Sequence, residues 1–71
     1  MPLASDWVMV YEAASRTEAE LVRGRLEEHG VPAIVIDQGA HPYPQLANAQ
    51  VHVRKDDAVR ALYIVRQPPE A

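Results

Sequence analysis

The stretch Ser15 to Asp37, SRTEAELVRGRLEEHGVPAIVID, constrains this chain more than any other, because a capped helix, a helix stop and an apolar strand follow one another in it without a gap. Ser15 and Glu18 have the spacing of a capping box, in which the hydroxyl accepts from the Glu18 amide and the carboxylate reaches back to the Ser15 amide. Behind them Ala19, Val22 and Leu26 fall at i, i+3 and i+7, one stripe along a helix, with Arg16, Glu20, Arg23 and Glu27 on the far side. Leu21 lies roughly a third of a turn off that stripe, as a flank of the core or a contact with another chain. Gly30 suits the left-handed residue that ends a helix, and Val31-Pro32 prevents its continuation. The spacing therefore predicts a helix from Arg16 to His29 and a strand from Ala33 to Asp37. In that strand Ile34 and Ile36 share one side and Ala33, Val35 and Asp37 the other. The larger pair is expected to face the helices.

Before this stretch, Trp7-Val8-Met9-Val10-Tyr11 is a β-branched and aromatic run of strand length, with Val8 and Val10 on one side and Trp7, Met9 and Tyr11 on the other. After it, residues 38 to 49 carry Gly39, Pro42, Pro44 and Asn48 without apolar periodicity and read as a long loop, a feature that in small domains is usually functional or mobile. Gln50-Val51-His52-Val53-Arg54 alternates cleanly, with the valines inward and Gln50, His52 and Arg54 on the opposite side. Lys55-Asp56-Asp57 opens a second helix with acids at the positive end of its dipole. Its apolar positions are Ala58, Ala61, Leu62 and Val65, and Pro68-Pro69 closes it. The chain thus divides into a lead-in over 1–6, one α+β domain over 7–66 and a tail over 67–71.

The order β-α-β-β-α has a natural solution as a split βαβ unit: a right-handed crossover through the first helix, with the third strand between the first and second. The expected sheet is three-stranded and antiparallel with order 1-3-2, and both helices cover one face, as in half of a ferredoxin-like domain. The first strand is then an apolar edge, which invites pairing or must be covered.

Composition narrows the function classes. A chain of 71 residues buries only a small core, and chains of this size often add disulfides, metals or a partner subunit. With zero cysteines, disulfides and thiolate metal sites are excluded, which leaves a homo-oligomer as the expected aid. Seven Lys+Arg against ten Asp+Glu make the net charge −3, so no basic field draws in nucleic acid or an anionic membrane. No stretch is long and apolar enough to span a bilayer and no secretory leader pattern opens the chain, so a soluble cytoplasmic protein is expected.

No reactive constellation emerges, and an enzyme is not expected. His29 closes a helix, His41 sits in the loop and His52 on a strand, without metal-ligand spacing among them. Asp56 and Asp57 are adjacent on a helix and point in different directions. Ser15 has no base beside it and a sufficient role as a cap. Gly24, Gly30 and Gly39 are isolated and form no phosphate cradle. No cofactor is implied.

One surface carries a hypothesis: the sheet face opposite the helices, where Trp7, Met9, Tyr11, Val35, Asp37, Gln50, His52 and Arg54 are expected to converge. Trp, Tyr, Met and Arg are enriched in subunit contacts. His41 and Tyr43 on the loop would flank this face as part of a lid, and Asn48 is a further candidate at its end. Read this way, the protein is a regulatory or interaction module that meets a protein partner or a small effector through this face and loop. A small metal- or metabolite-binding protein using His52, Arg54 and His41 is the alternative.

The succession EAELVRGRLEEHGVPAIVID, then Leu46-Ala47-Asn48-Ala49, then Val51-His52-Val53 and the helix DDAVRALYIV resembles a family of small bacterial domains described as "putative prokaryotic signal transducing protein". The resemblance covers about Val8 to Val65. It implies a fold similar to the nitrogen-regulatory PII-like proteins, which are ferredoxin-like and trimeric and bind small effectors, and it implies signal transduction without a defined biochemical role. Members often carry glycine before the third strand where Gln50 stands here. The PII effector loop is not recognisable in this chain, so the resemblance implies neither nucleotide nor 2-oxoglutarate binding.

Overall fold

The computed structural model describes residues 6–37 and 48–67. Within them β1 (Trp7–Ala13), α1 (Arg16–Glu28), β2 (Ala33–Asp37) and β3 (Ala49–Arg54) follow in order, and a 3-10 turn over Lys55–Asp57 leads into α2 (Ala58–Arg66). The sheet order is β1-β3-β2 with both pairings antiparallel, the α+β arrangement the element order implies and one consistent with a ferredoxin-like fold.

The core lies on one side of β3. Val51 and Val53 are fully buried there, and the same cluster takes in Ala19 and Leu26 of α1 with Ala61 and Ile64 of α2. Both helices therefore cover one sheet face. What lets them approach is size: Ala13, Ala33 and Ala49 on the strands and Ala19 and Ala61 on the helices are all buried. Backbones can come close where side chains end at Cβ, and the larger Leu26, Val31 and Ile64 fill the remaining space.

Local signals explain the helix ends. Ser15 Oγ accepts from the Glu18 amide at 3.2 Å, as a cap should. The Glu18 carboxylate reaches back one residue further than a capping box would place it, taking the Ala14 amide at 2.9 Å. At the other end Gly30 adopts φ +81°, the left-handed conformation that costs glycine nothing. This lets the Gly30 amide donate to Glu27 O at 3.0 Å and the Val31 amide to Leu26 O at 2.9 Å, the paired bonds of a Schellman motif. Val31 and Leu26, the residues such a motif brings together, are both fully buried. His29 caps the helix with Nδ1 2.8 Å from Arg25 O.

The outer side of α1 carries the ion pairs its spacing predicts: Arg23 with Glu20 at 2.6 Å and Glu27 at 3.1 Å, and Arg16 with Glu20 at 3.4 Å. Less predictable are two arginines that tie the helices to each other. Arg25 donates to the carbonyls of Ile64 and Gln67 at the end of α2 (2.9 and 3.1 Å), and Arg60 of α2 donates to His29 O at the end of α1. Each helix thus closes the other's C-terminal carbonyls with a cation, where the dipole is negative.

Two expectations about side-chain direction are corrected. In β1 the register shifts between Met9 and Tyr11, so Val10 is an extra residue against β3 and Tyr11 pairs with Val51 rather than continuing the alternation. Tyr11 consequently lies on the helix side with Val10, not on the open face. In β2, Ala33 pairs with Val53 and Val35 with Val51, while Ile34 pairs with His52 and Ile36 with Gln50. Paired residues share a face, so Val35 and Asp37 lie on the helix side and the two isoleucines on the open one, the reverse of the expectation. The thin alanine-lined layer under the helices has room for the smaller set. Element ends also differ slightly: β1 runs on to Ala13, β3 begins at Ala49 and Ile64 joins the core from α2.

Leu26→Ala would empty the middle of this single small core. It is expected to cost about 2–5 kcal/mol, enough to unfold much of a domain this size. Val59→Ala, at a position 83 % exposed, should change stability by less than about 0.5 kcal/mol. Urea unfolding followed by circular dichroism compares the two.

Candidate functional site

The pairing register places the open face as a grid. Trp7 of β1 lies opposite Arg54 of β3; Met9, His52 and Ile34 form a row across all three strands; Glu12, Gln50 and Ile36 form the next. Among the described residues no element covers this side. Met9 is 47 % exposed, and Trp7, Ile34, Ile36, Gln50 and His52 are half-buried by their neighbours in the sheet.

Within the grid the polar groups are matched locally. The Arg54 guanidinium carbon sits 5.9 Å from the centroid of the Trp7 ring, a cation–π contact that buries part of the indole while leaving the cation outside. His52 Nε2 lies 3.0 Å from Gln50 Oε1, two residues along the strand, so the glutamine accepts from the ring in the tautomer protonated at Nε2. Asn48 Nδ2 donates to Glu12 Oε2 at 2.8 Å and closes the end of the face. Burial among Met9, Ile34 and the strand holds the His52 pKa below its ordinary 6.5, because a charged imidazole there would lose hydration.

Tyr11 and Asp37, expected on this face, serve the other one. The Tyr11 hydroxyl donates to Glu18 Oε2 at 2.5 Å, joining the sheet to the first turn of α1. That bond, then the Ala14 amide, holds the Glu18 carboxyl below its ordinary 4.5. The same carboxylate raises the Tyr11 pKa above 10.0, first by accepting its proton in a hydrogen bond, with burial adding to it. Asp37 stands 3.6 Å from Arg16 and ties the end of β2 to the start of α1. His41, Tyr43 and the rest of the segment 38–47 lie outside the described residues. Of the sequence candidates the fold therefore brings Trp7, Met9, Gln50, His52 and Arg54 onto one face, with Asn48 at its margin. It adds Ile34, Ile36 and Glu12.

Among the described residues no three of His, Asp and Glu come together as metal ligands, and no polar or charged side chain is buried. No helix among them is long and apolar enough to cross a membrane. The arrangement presents an indole under a cation, a thioether, two isoleucines and a half-buried imidazole on one face.

The model of a family described as "Putative prokaryotic signal transducing protein" matches residues 7–67, from the first residue of β1 to the residue that caps α2. The chain belongs to that family. No curated protein and no solved structure matches it. In this signal-transducing family member the matched span includes every residue of the open face, so the grid is part of the family domain and not an appendage to it.

Two measurements test the electrostatics. A carboxyl with a depressed folded pKa contributes stability that is present above its unfolded pKa and lost as pH falls through the folded one. Acid unfolding of the wild type should therefore include a loss below 4.5 from Glu18, and Tyr11→Phe should lower stability at neutral pH and flatten that loss. For His52 the folded pKa is also depressed, so neutral imidazole favours the folded state above 6.5 and the advantage disappears as pH drops below it. Thermal melts on either side of that value should show a decline in the wild type that His52→Gln reduces.

Proposed function

We propose that this member of the signal-transducing family is a non-enzymatic regulatory module that acts as a homo-oligomer in the cytoplasm, and that the open face of its sheet is the surface through which it meets another protein. One observation carries the reading: Trp7, Met9, Ile34 and Ile36 share a face that no described element covers, while the opposite face is filled by both helices. In a chain with so small a core, leaving Met9 exposed and Trp7, Ile34 and Ile36 only half-buried is costly unless something meets them. A protein surface fits better than a small effector because tryptophan, methionine and arginine together are typical of protein contacts. This reading leaves catalysis out because the shifted groups have structural explanations: Glu18, Glu20 and Arg23 in a helix cap and a surface ion-pair ladder, Tyr11 in the same cap, and His52 in burial alone.

A photoreactive residue placed at position 34 tests this in the living cell. Irradiation should attach a protein there, whereas the same probe at position 59, on the exposed side of α2, should attach none. Equal labelling from both positions, or none from position 34, would show that the open face is not the contact surface.

A further inference from the structure

The charged groups of the open face are sorted by end. Arg54 lies in the first row beside Trp7, Glu12 lies in the third on β1, and the middle row of Met9, His52 and Ile34 separates them. Two rows of an antiparallel strand put these charges about 14 Å apart along the strand direction. Neither is neutralised within the face. Among the described residues the ion pairs all involve Arg16 or Arg23 of α1, so Arg54 has only the Trp7 ring and Glu12 only the Asn48 amide. β2 contributes no charge to this side, only Ile34 and Ile36.

We propose that a second copy of this chain covers the open face, packed sheet to sheet about a two-fold axis that crosses the strands at the row Met9, His52 and Ile34. This rests on the reading of the face as a protein contact surface and names its occupant. Charge selects the axis. A two-fold contact is the same patch meeting itself, and an axis across the strands reverses the ends of one copy over the other. Glu12 of each copy then lies over the Trp7–Arg54 end of its mate, giving two opposite-charge contacts at the rim of an apolar centre. An axis along the strands would instead gather like charges, with Arg54 set on Arg54 at one end and both Glu12 side chains at the other. Three strands and three rows amount to a face on the order of 300 Å² per copy, well below the roughly 800 Å² per partner of a standard interface. The dimer is accordingly a weak one, formed at micromolar concentration and above and reduced by salt.

Sedimentation of the full chain from micromolar to millimolar concentration at low ionic strength reads this directly. Wild type should pass from monomer to dimer. Glu12→Arg and Arg54→Glu, both at exposed positions, should each weaken association roughly tenfold, because each turns two attractions into two repulsions. An equimolar mixture of the two variants should regain the wild-type affinity, since both rim contacts are again of opposite sign; unfolded variants could not produce that recovery. Single reversals that associate as well as wild type, or a mixture that does not recover, would overturn the arrangement. A wild type that stays monomeric at millimolar concentration while a probe at position 34 still captures a protein would overturn self-pairing and leave the contact surface standing. No capture at position 34 removes both.

Discussion

Everything else in this domain leans on Val51 and Val53, two fully buried side chains on the strand that is paired along both of its edges. They point to one side only, so all the apolar mass of the helices must gather there. A layer of alanines draws α1 and α2 down onto that side until little space is left for larger strand residues. The other side of the same strand, with Gln50, His52 and Arg54, is left to whatever β1 and β2 place beside it. A one-sided core is the minimal solution for a chain this short, and it has a direct consequence: among the described residues no helix packs on the sheet's second face.

How β1 meets both demands depends on one extra residue. The bulge at Val10 changes the phase of the strand, so its first half offers Trp7 and Met9 to the open face and its second half offers Tyr11 and Ala13 to the helices. Tyr11 then reaches Glu18, whose carboxylate also holds the Ala14 amide, and the start of α1 is bonded to the sheet through the residue that helps cap it. The reciprocal arginines do the same at the far ends of the helices, where Arg25 and Arg60 each close carbonyls of the opposite helix. Several charged side chains of the helix layer are thus engaged locally, while Glu12 and Arg54 sit on the open face without an ion pair among the described residues.

The family is described by signalling; the sheet face away from the helices mixes apolar and polar side chains, and no polar side chain is buried among the described residues. A regulatory module needs a face that can be occupied or vacated without unfolding the domain. In the proposed role a sheet face outside the core would supply it.

Much of this was legible from residues close in sequence. Ser15 with Glu18, the Ala19-Val22-Leu26 stripe, Gly30 before Val31-Pro32, the alternations around Met9 and His52 and the order of elements determined both helices, the helix stop, the antiparallel 1-3-2 sheet and five of the residues on the open face, because capping, helical period and strand alternation are local properties. Side-chain direction in β2 and in the second half of β1 was not. A strand's two faces exchange on a shift of one residue, and only pairing with β3 decided that Ile34 and Ile36 turn outward and that Tyr11 turns inward after the bulge. The conflict in β1 between the phase set by Trp7 and that set by Ala13 was the available hint. In β2 size pointed the wrong way, since the space beneath two close-packed helices belongs to the tertiary structure and not to the strand.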